Sequence, residues 1–156
     1  MKSMSPTPPA KAKIALLGLG YVGLPLALAL SRHYSVSAYD ISKERIAELK
    51  DGFDRTGEIP ASVLGAATLD MSDDPGIIEG ADYFIITVPT PVDSENHPDL
   101  EYVMSACRTV GKAMKIGAVV VLESTVYPGV TEEACGPELE TASGLKSGAD
   151  FFLGYS

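Results

Sequence analysis

Residues 13–27 read KIALLGLGYVGLPLA, with three glycines between a short apolar run and a segment rich in alanine and leucine. The run at 13–18 predicts a strand that is buried on both faces. Residues 24–33 predict a helix, with Pro25 in its first turn, where the missing N–H costs little. A strand, a glycine-rich turn and a helix in that order predict the first part of a dinucleotide-binding βαβ unit.

The glycines follow the spacing GxGxxG, and each has a separate mechanical role. Gly18 permits the tight turn, Gly20 lets the backbone approach a pyrophosphate, and Gly23 lets the helix pack closely on the strand. We expect the pyrophosphate at the amino end of the helix near Tyr21, where N–H groups and the helix dipole favour negative charge. Glycines also occur in ordinary strand-to-helix turns, but here strand, helix and a later acidic residue are in register.

That acidic residue is Asp40, at the end of a predicted strand at 35–40. Its carboxylate is expected to accept hydrogen bonds from both adenosine ribose hydroxyls and to repel a 2′-phosphate, which predicts NAD rather than NADP. Arg45, one turn into the next helix, leaves three alternatives open. It serves an NADP phosphate, it lies over the ribose or adenine, or it is a solvated partner of Glu44 or Glu48.

The rest of the chain alternates between predicted strands and helices. Strands are predicted at residues 67–69, 82–88, 118–122 and 150–155, and helices at residues 42–50, 99–116 and 131–141. Because alternation implies right-handed crossovers, we predict one α/β domain of the Rossmann type, a doubly wound parallel sheet with helices on both faces. Ligands of such sheets bind beyond the carboxyl ends of the strands. Residues 87–91 (TVPTP) and 123–129 (ESTVYPG) are therefore expected to line the crevice, although such residues also form ordinary turns.

The composition limits the function classes. The chain has 156 residues, 46% of them hydrophobic, and a formal net charge of −9, which suits one core and offers no general basic surface for nucleic acid. No stretch approaches the roughly 20 apolar residues of a membrane span, and we expect residues 1–12 to be a flexible leader. Cys107 and Cys135 lack CxxC spacing and a nearby histidine, so we predict no metal site, no redox pair, a cytoplasmic setting and buried structural cysteines.

From Lys13 onward the sequence resembles the amino-terminal NAD-binding domain of the UDP-glucose/GDP-mannose dehydrogenase family. The matching segments are KIALLGLGYVGLPLA (13–27), YD (39–40), ISKERI (41–46), ITVPTP (86–91), ESTVYPG (123–129) and FFLGYS (151–156). GFDRTGE at 52–58, together with STVYPGVTEE and a following SGL, is most similar to the bacterial branch that oxidises UDP-N-acetylhexosamines, UDP-GalNAc or UDP-GlcNAc, for surface polysaccharides.

The resemblance implies oxidation of the C6 alcohol of a UDP-sugar to a carboxylate, with reduction of two NAD molecules. The motif and the resemblance together make the cofactor-binding candidates Gly18, Gly20, Tyr21, Val22, Gly23, Asp40, Arg45, Val88, Pro89, Thr90, Ser124 and Thr125. Thr125 is also the catalytic candidate, because it matches a threonine that helps to position water or a proton-transfer group. Family members hold their cysteine nucleophile, a lysine and a glutamate later in the chain. We therefore expect a truncated domain, inactive alone, from a full-length homodimer or larger assembly.

Two other functions stay open at this point. A β-hydroxyacid dehydrogenase of the phosphogluconate type shares the GLGxxG opening, although the STVYPG and GFDRTGE segments speak against it. An NAD-sensing regulatory domain without catalysis would have the same fold, because a fold alone does not specify a function. A continuation with a glutamate, a lysine and a nucleophilic cysteine in separate motifs would favour the dehydrogenase.

Overall fold

The computed structural model describes residues 12–123 and 131–156. Its strands are β1 (Lys13–Leu17), β2 (Ser35–Tyr39), β3 (Asp70–Ser72), β4 (Tyr83–Ile86), β5 (Val119–Leu122) and β6 (Phe152–Tyr155). They form one parallel sheet in the order β3-β2-β1-β4-β5-β6. The order reverses between β1 and β4, which is the switch point where such sheets bind their ligands.

Helices cover both faces of this sheet and leave a core on each side. The helices are α1 (Gly23–Ser31), α2 (Lys43–Lys50), α3 (Ala61–Ala66), α4 (Glu101–Ala113) and α5 (Gly136–Ser143). Leu16 of β1 packs in the core with α1 and α2, whereas its neighbour Leu17 packs in the core with α4 and α5. The predicted Rossmann-type architecture is therefore confirmed. No helix in the described part of the chain has the length and apolar character needed to cross a bilayer.

The third strand differs from the prediction. The prediction of a strand at residues 67–69 is wrong. These residues follow α3, and the third strand is β3, at Asp70–Ser72. Among the described residues, this edge strand pairs with β2 alone and is at least partly exposed along its length, so its sequence DMS has no apolar run to reveal it. The apolar side chain of Leu69 packs against the core just before the strand begins.

The carboxyl-terminal helix is confirmed with different bounds. A π-helical turn at Thr131–Cys135 leads into α5, which continues past the predicted end at residue 141 to Ser143. Gly144 then ends the helix with a φ of 74°, in the left-handed region that favours glycine. The expected leader at residues 1–12 lies, except for Ala12, outside the described residues.

The two cysteines are buried, as predicted, but they are also neighbours. Cys107 of α4 and Cys135 at the start of α5 are free thiols within hydrogen-bonding contact. The hydrogen bond with Cys135 and burial both raise the pKa of the Cys107 thiol, which stays protonated. Sequence spacing does not reveal this proximity, because it arises from the packing of α4 against α5.

Candidate functional site

The glycine-rich turn joins β1 to α1 in the manner that the motif predicts. Gly18 has a φ of 100°, and a Cβ atom added there would lie 2.9 Å from the carbonyl carbon of Thr87. A Cβ atom at Gly23 would lie 1.6 Å from the carbonyl oxygen of Gly18. In contrast, a Cβ atom at Gly20 would meet no atom within 4 Å. Two glycines are therefore required by packing, and Gly20 leaves open space in front of the backbone.

Thr87 fastens the end of β4 to the glycine turn. Its buried hydroxyl lies 2.9 Å from the carbonyl oxygen of Leu17 and 2.7 Å from that of Gly18, and it donates its proton to this pair. This shared donor ties the end of β4 to the end of β1 at the switch point. Sequence reasoning placed Thr87 in a loop of the crevice but missed this role, because the partner carbonyls are about 70 residues earlier.

Asp40 also contacts the turn directly. One carboxylate oxygen accepts the Leu19 N–H at 2.8 Å, and the other accepts the Ser42 N–H at 2.9 Å. Each carboxylate oxygen has two lone pairs, so both keep the capacity to accept a further hydrogen bond from a ligand hydroxyl. Asp40 therefore fixes the turn and presents acceptors at the carboxyl end of β2.

Arg45 is not the solvated residue that one alternative proposed, because only 6% of its surface is exposed. Its Nε donates to the carbonyl oxygen of Leu19 at 2.7 Å, and one terminal nitrogen donates to Asp54 at 2.9 Å. The other terminal nitrogen lies 3.8 Å from Glu48 and has no hydrogen-bond partner among the described residues. The guanidinium is thus a buried element of the site wall.

Asp54, the partner of Arg45, was missed by sequence reasoning. Its carboxylate accepts the backbone N–H groups of Thr56, Glu58 and Ile59 at 3.0–3.1 Å, as well as the Thr56 hydroxyl. Burial alone raises the pKa of Asp54, but the hydrogen bonds from Thr56 and Arg45 outweigh it and hold the pKa below its usual value. The sequence DRTGE carried a signal, because an aspartate that accepts from residues two positions later forms a common turn.

These groups surround one cleft of about 540 Å³, a volume in the range of small-molecule and cofactor sites. The predicted site residues that line it are Gly18, Gly20, Tyr21, Val22, Asp40, Arg45, Val88, Pro89 and Thr90. Gly23 lies buried beneath the turn instead. Ser124 and Thr125 lie outside the described residues. The cleft therefore gathers residues from the ends of β1, β2 and β4, as the crevice rule requires.

The cleft also has walls that the sequence did not predict. Arg55 and Thr56, from the loop closed by Asp54, line one side of the cleft. Tyr102, Ser105 and Thr109 of α4 line another side. They were missed because the cleft-facing residues of the helix predicted at 99–116 belong to no motif. Among the described residues, no group of three histidine, cysteine or acidic side chains is arranged to hold a metal ion.

The sequence model of the UDP-glucose/GDP-mannose dehydrogenase family, NAD binding domain, matches residues 12–156. The chain belongs to this family. Its cofactor is accordingly NAD. The β-hydroxyacid dehydrogenase and the NAD sensor are not favoured by this match.

Individual relatives agree with this assignment. Over 143 residues the chain is 48% identical to the protein CapL of Staphylococcus aureus, covering 92% of this chain and 34% of that protein. It is 47% identical to UDP-N-acetyl-D-glucosamine 6-dehydrogenase of Pseudomonas aeruginosa, with the same coverage. The solved structure of a UDP-D-ManNAc dehydrogenase from Pyrococcus horikoshii superposes with a TM-score of 0.83 at 39% identity, covering 92% of this chain and 35% of that one. The chain thus spans about a third of the length of these relatives.

Proposed function

We propose that this domain binds NAD in the cleft and serves as the cofactor half of a UDP-N-acetylhexosamine 6-dehydrogenase for surface polysaccharides. The observation that carries the proposal is the open backbone at Gly20 beside two acceptors of Asp40, at the β1/β4 switch point. The similarity to UDP-N-acetyl-D-glucosamine 6-dehydrogenase of Pseudomonas aeruginosa supports the substrate class.

Gly20, Tyr21 and Val22 would hold the pyrophosphate at the amino end of α1, because the helix dipole favours an anion there. Asp40 would accept hydrogen bonds from the hydroxyls of the adenosine ribose. Val88, Pro89 and Thr90 would contact the nicotinamide half of the cofactor, because they follow β4 on the far side of the switch point.

Bound NAD would supply the hydride acceptor for two oxidations, from alcohol to aldehyde and from hydrated aldehyde to carboxylate. A water supplies the added oxygen, and the two steps together release three protons with two reduced cofactors. Ser124 and Thr125 are assigned to the cofactor-binding residues. Thr125 is also assigned the role of positioning the water or the proton-transfer group.

The free thiols of Cys107 and Cys135 suit the reducing cytoplasm. We propose a homodimer or larger assembly for the full-length protein.

Calorimetric titration of the 156-residue chain with NAD and with NADP tests the cofactor site. We expect NAD to bind, and NADP to bind at least about tenfold more weakly, because the negative charge of the Asp40 carboxylate repels a 2′-phosphate. We also expect no steady NADH production with UDP-GlcNAc, because the chain spans 34% of the related dehydrogenase. A preference for NADP would contradict the role of Asp40. If neither cofactor binds, the proposed NAD site is contradicted.

A further inference from the structure

We propose that Asp54 sets the cofactor preference of this cleft by occupying the Arg45 guanidinium, so that it cannot grip a phosphate at the 2′ position of the adenosine ribose. The inference rests on the proposed NAD site and adds a residue to it. Arg45 and Asp54 are 2.9 Å apart, and their side chains are 8% and 0% exposed, respectively. The pair is therefore shielded from solvent, where a contact between charges has its largest effect.

Arg45 and Asp40 are attached to the same residue of the glycine turn. The Leu19 N–H donates to Asp40 at 2.8 Å, and the Leu19 carbonyl oxygen accepts from Arg45 Nε at 2.7 Å. A ribose held by Asp40 would therefore place its 2′ substituent close to the guanidinium. An arginine near this position is the group that accommodates the 2′-phosphate in NADP-binding proteins. The cleft thus contains an NAD-type carboxylate and an NADP-type cation side by side.

Asp54 determines whether the carboxylate of Asp40 or the guanidinium of Arg45 governs recognition of the 2′ position of the ribose. Leu19 accepts from the Nε–H of Arg45 and Asp54 accepts from one terminal nitrogen. The other terminal nitrogen is buried, without a hydrogen-bond partner in the described residues, and 3.8 Å from Glu48. Arginine grips a phosphate either through Nε and a terminal nitrogen or through both terminal nitrogens, and each of these pairs includes a nitrogen that is already bonded to Leu19 or Asp54.

The charges around the guanidinium also oppose a phosphate. Asp40, Asp54 and Glu48 face the region with three carboxylates, against the cations Arg45 and Arg55. Arg55 is bonded to Glu48 at 2.7 Å and its side chain is 54% exposed, so solvent screens its charge. With Asp54 neutralised, the balance around Arg45 changes from net negative to zero and the guanidinium becomes available.

Asp54 is a fixed partner rather than a mobile one. The backbone N–H groups of Thr56, Glu58 and Ile59 all donate to its carboxylate, so the whole loop would have to open before Asp54 released Arg45. The same hydrogen bonds keep the carboxylate ionised at neutral pH. Asp54 is accordingly a positioning residue that acts on the cofactor through Arg45.

The test is Asp54→Asn, which keeps the side-chain shape and one acceptor oxygen for the loop but removes the charge. Dissociation constants for NAD and NADP are measured by calorimetry, below the melting temperature of each variant. We expect the ratio of the NADP constant to the NAD constant to fall about tenfold, equivalent to about 1.4 kcal/mol, mainly through tighter binding of NADP. A gain of affinity is a result that a loosened loop alone would not produce.

Three further variants sharpen the test. Asp51→Asn removes an exposed carboxylate three residues away and should leave the ratio unchanged, which controls for net charge. Asp54→Asn combined with Arg45→Gln should lose the gain in NADP affinity, because the guanidinium is then absent. Asp54→Ser, which can still accept a backbone N–H, repeats the test if the asparagine variant does not fold.

An unchanged ratio in folded Asp54 variants, or a gain that persists without Arg45, would overturn the assignment of Asp54. Failure of the unmodified chain to bind NAD would instead overturn the proposed function. The two failures are therefore distinguishable in one set of titrations.

Discussion

Replacing Gly23 with alanine is expected to destabilise the domain, whereas replacing Gly20 with alanine is expected to impair only cofactor binding. The added Cβ atom at Gly23 would lie 1.6 Å from the Gly18 carbonyl oxygen and 2.5 Å from the Thr87 hydroxyl oxygen. The first of these atoms is backbone, so α1 must shift away from β1. Overpacking of this severity costs about 3 kcal/mol or more. For a domain of this size, such a loss lowers the melting temperature by roughly 6–12 °C.

Gly20→Ala is the matched control, because the same atom added there meets nothing within 4 Å. Its backbone φ is not positive, so the stability should change by less than about 1 kcal/mol. The methyl group would occupy the space through which the pyrophosphate approaches the backbone, and we expect NAD affinity to fall about tenfold or more. Calorimetric melting and NAD titration of both variants measure the two effects. An unchanged melting temperature for Gly23→Ala, or normal NAD affinity for Gly20→Ala, would refute the separate roles of these glycines.

Two further predictions concern buried polar groups. Thr87→Val should lower the free energy of unfolding by about 1–3 kcal/mol, because two carbonyl oxygens at the end of β1 lose their shared donor. A denaturant titration measures this change, and an unchanged free energy of unfolding would contradict the fastening role of Thr87. Asp54 has a folded-state pKa below its usual value of about 3.9, so its stabilisation is complete above that value and is lost as pH falls through the folded pKa. The stability difference between the parent and Asp54→Asn should therefore be largest near about pH 7 and shrink below about pH 4, whereas a difference independent of pH would argue against this linkage.

The central strands could be predicted because burial on both faces gives them a continuous apolar sequence. β1, β4 and β5 lie in the middle of the sheet and read KIALL, YFII and VVVL. β3 pairs with β2 at an edge of the sheet and is only three residues long, with no apolar run. β6 lies at the other edge but reads FLGY, and it was predicted. The failure at β3 is thus a consequence of its short polar sequence, which its partly exposed position permits.

Prediction of the site succeeded where a motif has a fixed spacing. The glycine turn and Asp40 follow such a spacing, which reveals them although Asp40 bonds to Leu19, 21 residues earlier in the sequence. Asp54 and Thr87 act through partners that the fold brings near, 9 and about 70 residues away in the sequence. The interpretation of Arg45 was ambiguous because its role depends on a carboxylate in the loop at 52–59, whose position the sequence does not reveal.

The acidic composition and the cofactor preference have a common physical basis. A chain with a net charge of −9 cannot attract a dinucleotide through its overall field, so the pyrophosphate must be stabilised locally by N–H groups and the dipole of α1. The carboxylates of Asp40 and Asp54 are used as acceptors for backbone N–H groups within the site. Each additional phosphate on the cofactor then meets a negative field without a helix terminus to offset it. We therefore expect this charge distribution to tolerate the pyrophosphate of NAD and to disfavour the 2′-phosphate of NADP.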